Sequence, residues 1–379
     1  MKKNLEILIL VIVISVITDM RASESISDTI RFDYNHNKIF IPVYIDGIKK
    51  IFLFDTGFSQ TAIDKLGKIA TDKKILRDAN GIEMKFDCGS VDSIRLGKFQ
   101  FKNKDVLLYD FDQAFIKCYD LDGVIGGDLL KDFIVKLDWK NSYLIISTTD
   151  KVFRDEMKKN NSIPMKLFNN NPFLILDKGK KNKEYILFDT GDPSLYTLSL
   201  KNFIKYNKDI SPFVIDSIWA VKGAGTSGYP TDTVFYALEL PQKKIGNVMF
   251  QNMLVHTTPN KVSRIGSKLL NYGNVIIDYR KNQFYFIPYG EKTSVTVKEP
   301  LHVYLKFTDA KALLSCVWPT SEEYKAGLRN GQIVKEINGI KMNGEQSVCD
   351  FRSEIRKNTI TIVVIDNKGD ERKYVIKRQ

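Results

Sequence analysis

Apolar and polar positions alternate along much of this chain. KIFIPVYIDGIKKIFLFD, residues 38 to 55, is a period-two run broken once by Asp46-Gly47. Such alternation predicts half-buried strands, and Asp-Gly between two runs predicts a two-residue hairpin turn. NPFLILDKGKKNKEYILFD, residues 171 to 189, repeats the plan. Two longer stretches, SVDSIRLGKFQFKNKDVLLYD (90 to 110) and TVFYALELPQKKIGNVMFQNMLVHT (233 to 257), predict further strand pairs. Short helices are expected to start near Gly127 and Ser267. The fold class expected from this pattern is mainly β.

The similarity between these stretches is not local. FLFDTG at 52 to 57 recurs as ILFDTG at 186 to 191, and GVIGGDLLKDFIVKLDWKNSYLII at 123 to 146 recurs as RIGSKLLNYGNVIIDYRKNQFYFI at 264 to 287. The offset is 134 residues from Asp55 to Asp189 and 140 from Gly126 to Gly266. Two ordered motifs at near-constant spacing indicate a duplicated domain. The copies are expected to form two lobes, residues 24–150 and 151–290. Each copy sets an aspartate at the end of an apolar strand, where an ionised carboxylate persists only if it is neutralised, hydrogen-bonded or used.

Length and composition refine this picture. At 379 residues the chain exceeds one small core, and 43% hydrophobic with 27% charged residues is the balance of a folded protein. The net charge of +12 is spread over scattered lysines, with no arginine-rich helix, so nucleic acid is not an expected partner. MKKNLEILILVIVISVITDMRAS, residues 1 to 23, has a basic start and an apolar run from Ile7 to Ile17 too short to span a bilayer comfortably. It reads as a signal peptide of an exported, periplasmic or secreted protein, the alternative being an uncleaved N-terminal anchor. Cys88, Cys118, Cys316 and Cys349 include no CxxC pair, so no metal site is expected; pairs 88–118 and 316–349 and four free thiols both stay open. His36, His256 and His302 accompany no GxSxG or HExxH pattern. They read as loop or strand-surface residues.

Asp55-Thr56-Gly57, followed by Ser59 and later by Val124-Ile125-Gly126, resembles the retropepsin-like aspartic proteases of the pepsin-type clan, in the two-lobed form of exported bacterial members. The resemblance covers about residues 30 to 288. It implies two pseudo-symmetric acid-protease β-barrel lobes, with Asp55 and Asp189 as the catalytic pair and no cofactor. It further implies that Thr56 and Thr190 brace the two loops and that Ser59 hydrogen-bonds its own aspartate. Gly57 and Gly191 would let the loops turn tightly, and Gly126 and Gly266 would pass beneath them. Extended peptides would be the substrates, clamped by flaps at 79–90 and 219–230. The second copy departs from the pattern: DTGDPS sets Asp192 and Pro193 where a hydroxyl is expected. This is either an insertion-like shift or the mark of a lobe with altered chemistry.

After Pro288 the pattern changes. Ala326-Gly327-Leu328, Gly331-Gln332-Ile333-Val334 and Ile337-Asn338-Gly339, in order within residues 297–379, resemble a bacterial PDZ domain. That resemblance implies an α+β module that adds peptide C-termini as a strand, although its candidate carboxylate loop, KEPLHVYLKF, has no glycine. The function expected is an exported aspartic endopeptidase, monomeric because both aspartates lie in one chain. The alternatives are a catalytically inactive peptide-binding protein on the same scaffold and a basic surface protein that binds an anionic polymer.

Overall fold

A computed structural model describes residues 26–379 apart from 36, 66, 78–81, 112–115, 178–182, 224–227, 230, 292, 298–300, 309–310, 343–349, 352–353, 367 and 379. The stretch 1–23 expected to be a signal peptide, His36, Cys349 and parts of both stretches expected to be flaps (79–81, 224–227 and 230) lie outside the described residues.

The first hairpin forms where the alternation predicts it. Strands Lys38–Ile45 and Ile48–Phe54 pair antiparallel, and Asp46 and Gly47 turn at φ 50° and 83°. Positive φ at both central positions gives the turn the twist that flanking strands require. Ile39, Ile41, Val43 and Ile45 point inward from the first strand. At the end of the second strand the alternation stops, because Phe52, Leu53 and Phe54 are all buried. Here the chain enters the interior and pairs in parallel with Gly123–Ile125. Strand Lys183–Asp189 enters the second half in the same way and pairs in parallel with Ser263–Gly266. Leu53 stands opposite Val124, and Leu187 opposite Arg264, so the two halves share one register.

Six antiparallel strands join the halves, in the order Ser27–Arg31, Tyr143–Ser147, Ile134–Asp138, Gly273–Asp278, Gln283–Pro288, Ser162–Phe168. The central pairing matches Ile134 with Asp278 and Lys136 with Ile276. Position 276 is position 136 advanced by the 140-residue offset, so the duplicated strand pairs with its own copy across a pseudo-two-fold axis. Ile30, Leu137, Leu144, Val275, Ile277 and Phe284 from this platform join the main core.

The C-terminal fifth of the chain forms a sheet of its own, with Tyr304–Thr308 at one edge, then Lys311–Cys316, Ile333–Ile337, Thr359–Ile365 and Glu371–Lys377. A short helix, Glu322–Ala326, starts at the Ser321 cap, whose hydroxyl accepts from Tyr324 N–H, and stops at Gly327 with φ 109°. This unit has a separate core of Leu305, Leu314, Leu328, Val334, Ile362 and neighbours. The connection does not hang free, because Ser294–Thr296 pairs in parallel with Val248–Thr258 and Val297 enters the main core.

A docked face holds the C-terminal unit against the second half. Trp318 is fully buried and stacks on His256 at 5.2 Å, in a cluster with Ala220, Phe235, Ala237 and Cys316. Thr320 N–H and Oγ1–H both donate to Asp216 Oδ2, at 2.8 and 2.6 Å. Burial, helped by the nearby Lys222, holds the His256 imidazole well below its ordinary pKa, so a neutral ring faces the indole. Trp318→Ala is expected to lower unfolding free energy by about 3–5 kcal/mol, the usual cost of truncating a buried aromatic residue. Calorimetry is expected to show the C-terminal unit unfolding ahead of the remainder. An unchanged single transition would show that this face carries no docking energy.

Cys88 and Cys316 are free thiols; the expected partner side chains, those of Cys118 and Cys349, lie outside the described residues. Burial pushes the Cys316 thiol up to about 12, which makes it inert.

Candidate active site

Two loops meet where the two apolar strands end. Thr56 N–H donates to Thr190 Oγ1 at 3.0 Å, and Thr190 N–H donates to Thr56 Oγ1 at 3.1 Å. Each hydroxyl then donates onward across the interface, Thr56 to Phe188 O at 2.7 Å and Thr190 to Phe54 O at 2.8 Å. Both threonines are fully buried. These four bonds lock the loops to one another, and with them the aspartate each loop carries.

The carboxylates are brought close by the absence of side chains. A Cβ on Gly57 would lie 2.5 Å from Asp189 Cγ, and one on Gly191 would lie 2.4 Å from Asp55 Oδ2. Each glycine also donates its N–H to the aspartate of its own loop, Gly57 to Asp55 at 2.8 Å and Gly191 to Asp189 at 2.9 Å. Gly126 and Gly266 let a second segment pass beneath: a Cβ on Gly126 would lie 2.7 Å from Gln60 C, and one on Gly266 would lie 2.2 Å from Asp192 O. Ser59 differs from expectation. Asp55 accepts from the Gly57 amide and receives no hydrogen bond from the Ser59 hydroxyl. The position that follows Gly57 in the turn, Phe58, points instead into an apolar cluster with Leu53, Tyr109 and Val124.

The departure in the second copy takes a definite form. Phe58 O accepts from Gly127 N–H, and Asp192 O accepts from Ser267 N–H, so Asp192 occupies the place of Phe58. Ala62 pairs with Val124, whereas Thr197 pairs with Arg264. The separation from the aspartate therefore grows by one residue, so the second copy carries a single-residue insertion between Asp192 and Thr197. Pro193 and Ser194 lie in the lengthened segment between Asp192 and Thr197.

The sequence reading missed the cations of the site. Arg264 stands where the first copy has Val124, and its guanidinium lies 3.5 Å from Asp189 Oδ2 and 3.6 Å from Asp192 Oδ2. Lys38 reaches across from the first half to donate to Gly191 O. The repeat itself held the signal for Arg264 and Asp192, since each is a charge aligned with an apolar residue of the first copy. Burial, and then the Asp55 carboxylate alongside, push Asp189 up to about 7 against the opposing pull of Arg264 and Lys38. Burial alone would raise Asp192 too, but Arg264 and the Ser194 amide hold it below the usual carboxylate range. With one proton on the Asp55–Asp189 pair, two negative charges face the two cations.

Both aspartates open into a cleft of about 420 Å³. Its two walls differ. The first half contributes Leu53, Phe58, Ala62, Tyr109, Phe111 and Val124, whereas the second half contributes Asp192, Thr197, Lys222, Thr257, Thr258 and Arg264. The C-terminal unit also lines the cleft, with Val303, Leu305, Phe307, Phe351, Ile355 and Arg356. Phe307 N–H, on the edge strand of that unit, donates to Tyr229 Oη, in the stretch expected to be the second flap, at 3.1 Å. In the first half, Glu83–Leu96, which holds most of the stretch expected to be a flap, pairs antiparallel with Asp72–Arg77. Among the described residues no group of three or more His, Cys, Asp or Glu side chains is placed to hold a metal ion.

Residues 41–129 match the model of a family described as aspartyl protease. That stretch contains Asp55-Thr56-Gly57 and Val124-Ile125-Gly126. No curated protein matches the chain. Among solved structures, a retropepsin-like aspartic protease from Rickettsia conorii is 25% identical, over 33% of this chain and 92% of that one, at a TM-score of 0.25.

Proposed function

We propose that the chain is an aspartic endopeptidase of two lobes, with Asp55 and Asp189 as its catalytic pair and a PDZ-like module lining the cleft. The observation that carries this reading is the reciprocal Thr56–Thr190 lock, which holds two carboxylates against each other's glycines at the floor of a cleft. Carboxylates so close cannot both ionise, and the pair shares a proton. Asp189, raised to about 7, is the member that holds it. Asp55 then takes a proton from an attacking water while Asp189 donates to the peptide carbonyl. The tetrahedral diol collapses as the amine takes up a proton and leaves. Substrates are extended peptides with an apolar side chain toward the first lobe. Because the pair is complete within one chain, no second copy is required.

One observation favours a non-catalytic peptide-binding protein on the same scaffold: Arg264 lies within ion-pair distance of Asp189. Incubation of the full chain with a diverse peptide library from about pH 3 to 8 separates the two readings. New termini identified by mass spectrometry support the peptidase; retention of peptides without cleavage supports the alternative. We also read residues 1–23 as a signal peptide of an exported protein, an assignment that N-terminal sequencing of the mature chain checks.

A further inference from the structure

We infer that Lys222 and Arg356 form a carboxylate-binding subsite where the second half meets the C-terminal unit, so that a bound peptide presents either an Asp or Glu side chain or its own C-terminus there. This rests on the peptidase reading only in making the bound peptide a substrate. Both side chains line the cleft that holds Asp55 and Asp189. Lys38 and Arg264, the other cations of the cleft, are engaged by Gly191 O, Asp189 and Asp192. Lys222 and Arg356 form no hydrogen bond or ion pair with any described residue.

Lys222 faces two aromatic rings, with its ammonium 5.0 Å from the centre of the Tyr304 ring and 5.9 Å from that of Phe235. Those rings belong to the C-terminal unit and the second half, so the docked face places the cation at their junction. Burial and the nearby Arg356 draw Lys222 down to about 8, while Cys316 and Asp192 pull it the other way. Two cations facing one cleft without a closely paired anion are poorly compensated. An arriving carboxylate supplies the missing charge and hydrogen-bond acceptors. The nearby edge strand Tyr304–Thr308 offers main-chain groups to an extended peptide, with Phe307 N–H already engaged by Tyr229.

The test uses full-length Asp55→Asn protein, so that peptides are held and not turned over, and four matched dodecapeptide libraries. These contain Asp and Glu or their Asn and Gln counterparts, each with a free or an amidated C-terminus. Retained peptides are identified by mass spectrometry, and their Kd is measured by fluorescence anisotropy. Removing the relevant carboxylate is expected to weaken binding about 10-fold, the scale of a charge-assisted hydrogen bond. Loss on amidation identifies the C-terminus as the source; loss with Asn and Gln identifies the side chain. In the same background, Lys222→Met is expected to remove the preference, and Lys222→Arg to keep it. In otherwise wild-type protein, Lys222→Met is expected to raise KM with kcat little changed. Equal retention of all four libraries, no retention of any, or a preference that survives Lys222→Met would overturn the inference. Carboxylate-dependent binding with no cleavage by wild type would sink the peptidase reading alone, and cleavage without carboxylate preference would sink the subsite alone.

Discussion

Asp55→Asn is expected to abolish peptide cleavage while leaving the fold intact, with rate losses of about 10²–10⁴-fold for each acid–base role removed. Asp189→Asn is expected to do the same. An amide in either position can neither share the proton nor accept one from water. The two variants should differ in their pH-dependent stability. Asp189 is raised by burial and by Asp55 to about 7, whereas its ordinary value is 3.8. The folded state therefore binds this proton more tightly than the unfolded state does. The stabilising contribution is fully present below about pH 4 and is lost as pH rises through about 7. Asn at 189 removes that loss, so the variant should gain on the wild type between pH 5 and 8 in urea titrations. Cleavage by the wild type should fall above about pH 7, as the shared proton is lost. Turnover retained in a well-folded Asp55→Asn protein would rule out the assigned role. Turnover lost only at Asp55 would leave the second aspartate as a structural element of the duplicated fold.

The next largest expected effect follows Arg264→Met. This variant leaves Asp189 and Asp192 buried without their cation, a change that commonly costs about 3–5 kcal/mol. The sign with pH is definite. In the wild type Asp192 is held below the usual range, so it adds stability above about pH 4. Without Arg264, burial acts on both carboxyls against only Lys38 and, at Asp192, the Ser194 hydrogen bonds, so each shifts toward its protonated form. The deficit should thus be small near pH 4 and largest near pH 8, and the upper limb of any cleavage profile should move upward. The first half suggests a rescue, since it packs Phe58 and Val124 where the second has Asp192 and Arg264. An Asp192→Phe/Arg264→Val double variant restores an apolar pair, and such replacements are often neutral or stabilising. It should recover much of the deficit at pH 8. A double variant no more stable than Arg264→Met would show that these positions are not interchangeable between the halves.

Much of this architecture was legible in the chain. Asp46-Gly47 between two alternating runs specified a hairpin, because a turn with two positive φ values suits few other pairs. The repeat specified that Asp55 and Asp189 end equivalent strands, and short helical turns do begin at Gly127 and Ser267. These features are local or periodic, so a single chain carries them in order. Ser59 shows the limit of motif reading. A hydroxyl four positions after the aspartate resembles the expected partner, but the turn directs Phe58 inward and leaves Asp55 to the Gly57 amide.

What the chain could not disclose depends on pairs far apart in sequence. Lys38 meets Gly191, Trp318 meets His256, and Lys222 meets Tyr304 only after three separate bodies of structure pack together. Sequence alone determined the strands, the turns and the duplication, because backbone conformation and burial period are set by neighbours along the chain. The tertiary structure decided which charges face the aspartates and that the C-terminal unit walls the cleft. Desolvation and Coulomb energy depend on distance in space, and no spacing in the sequence records that distance.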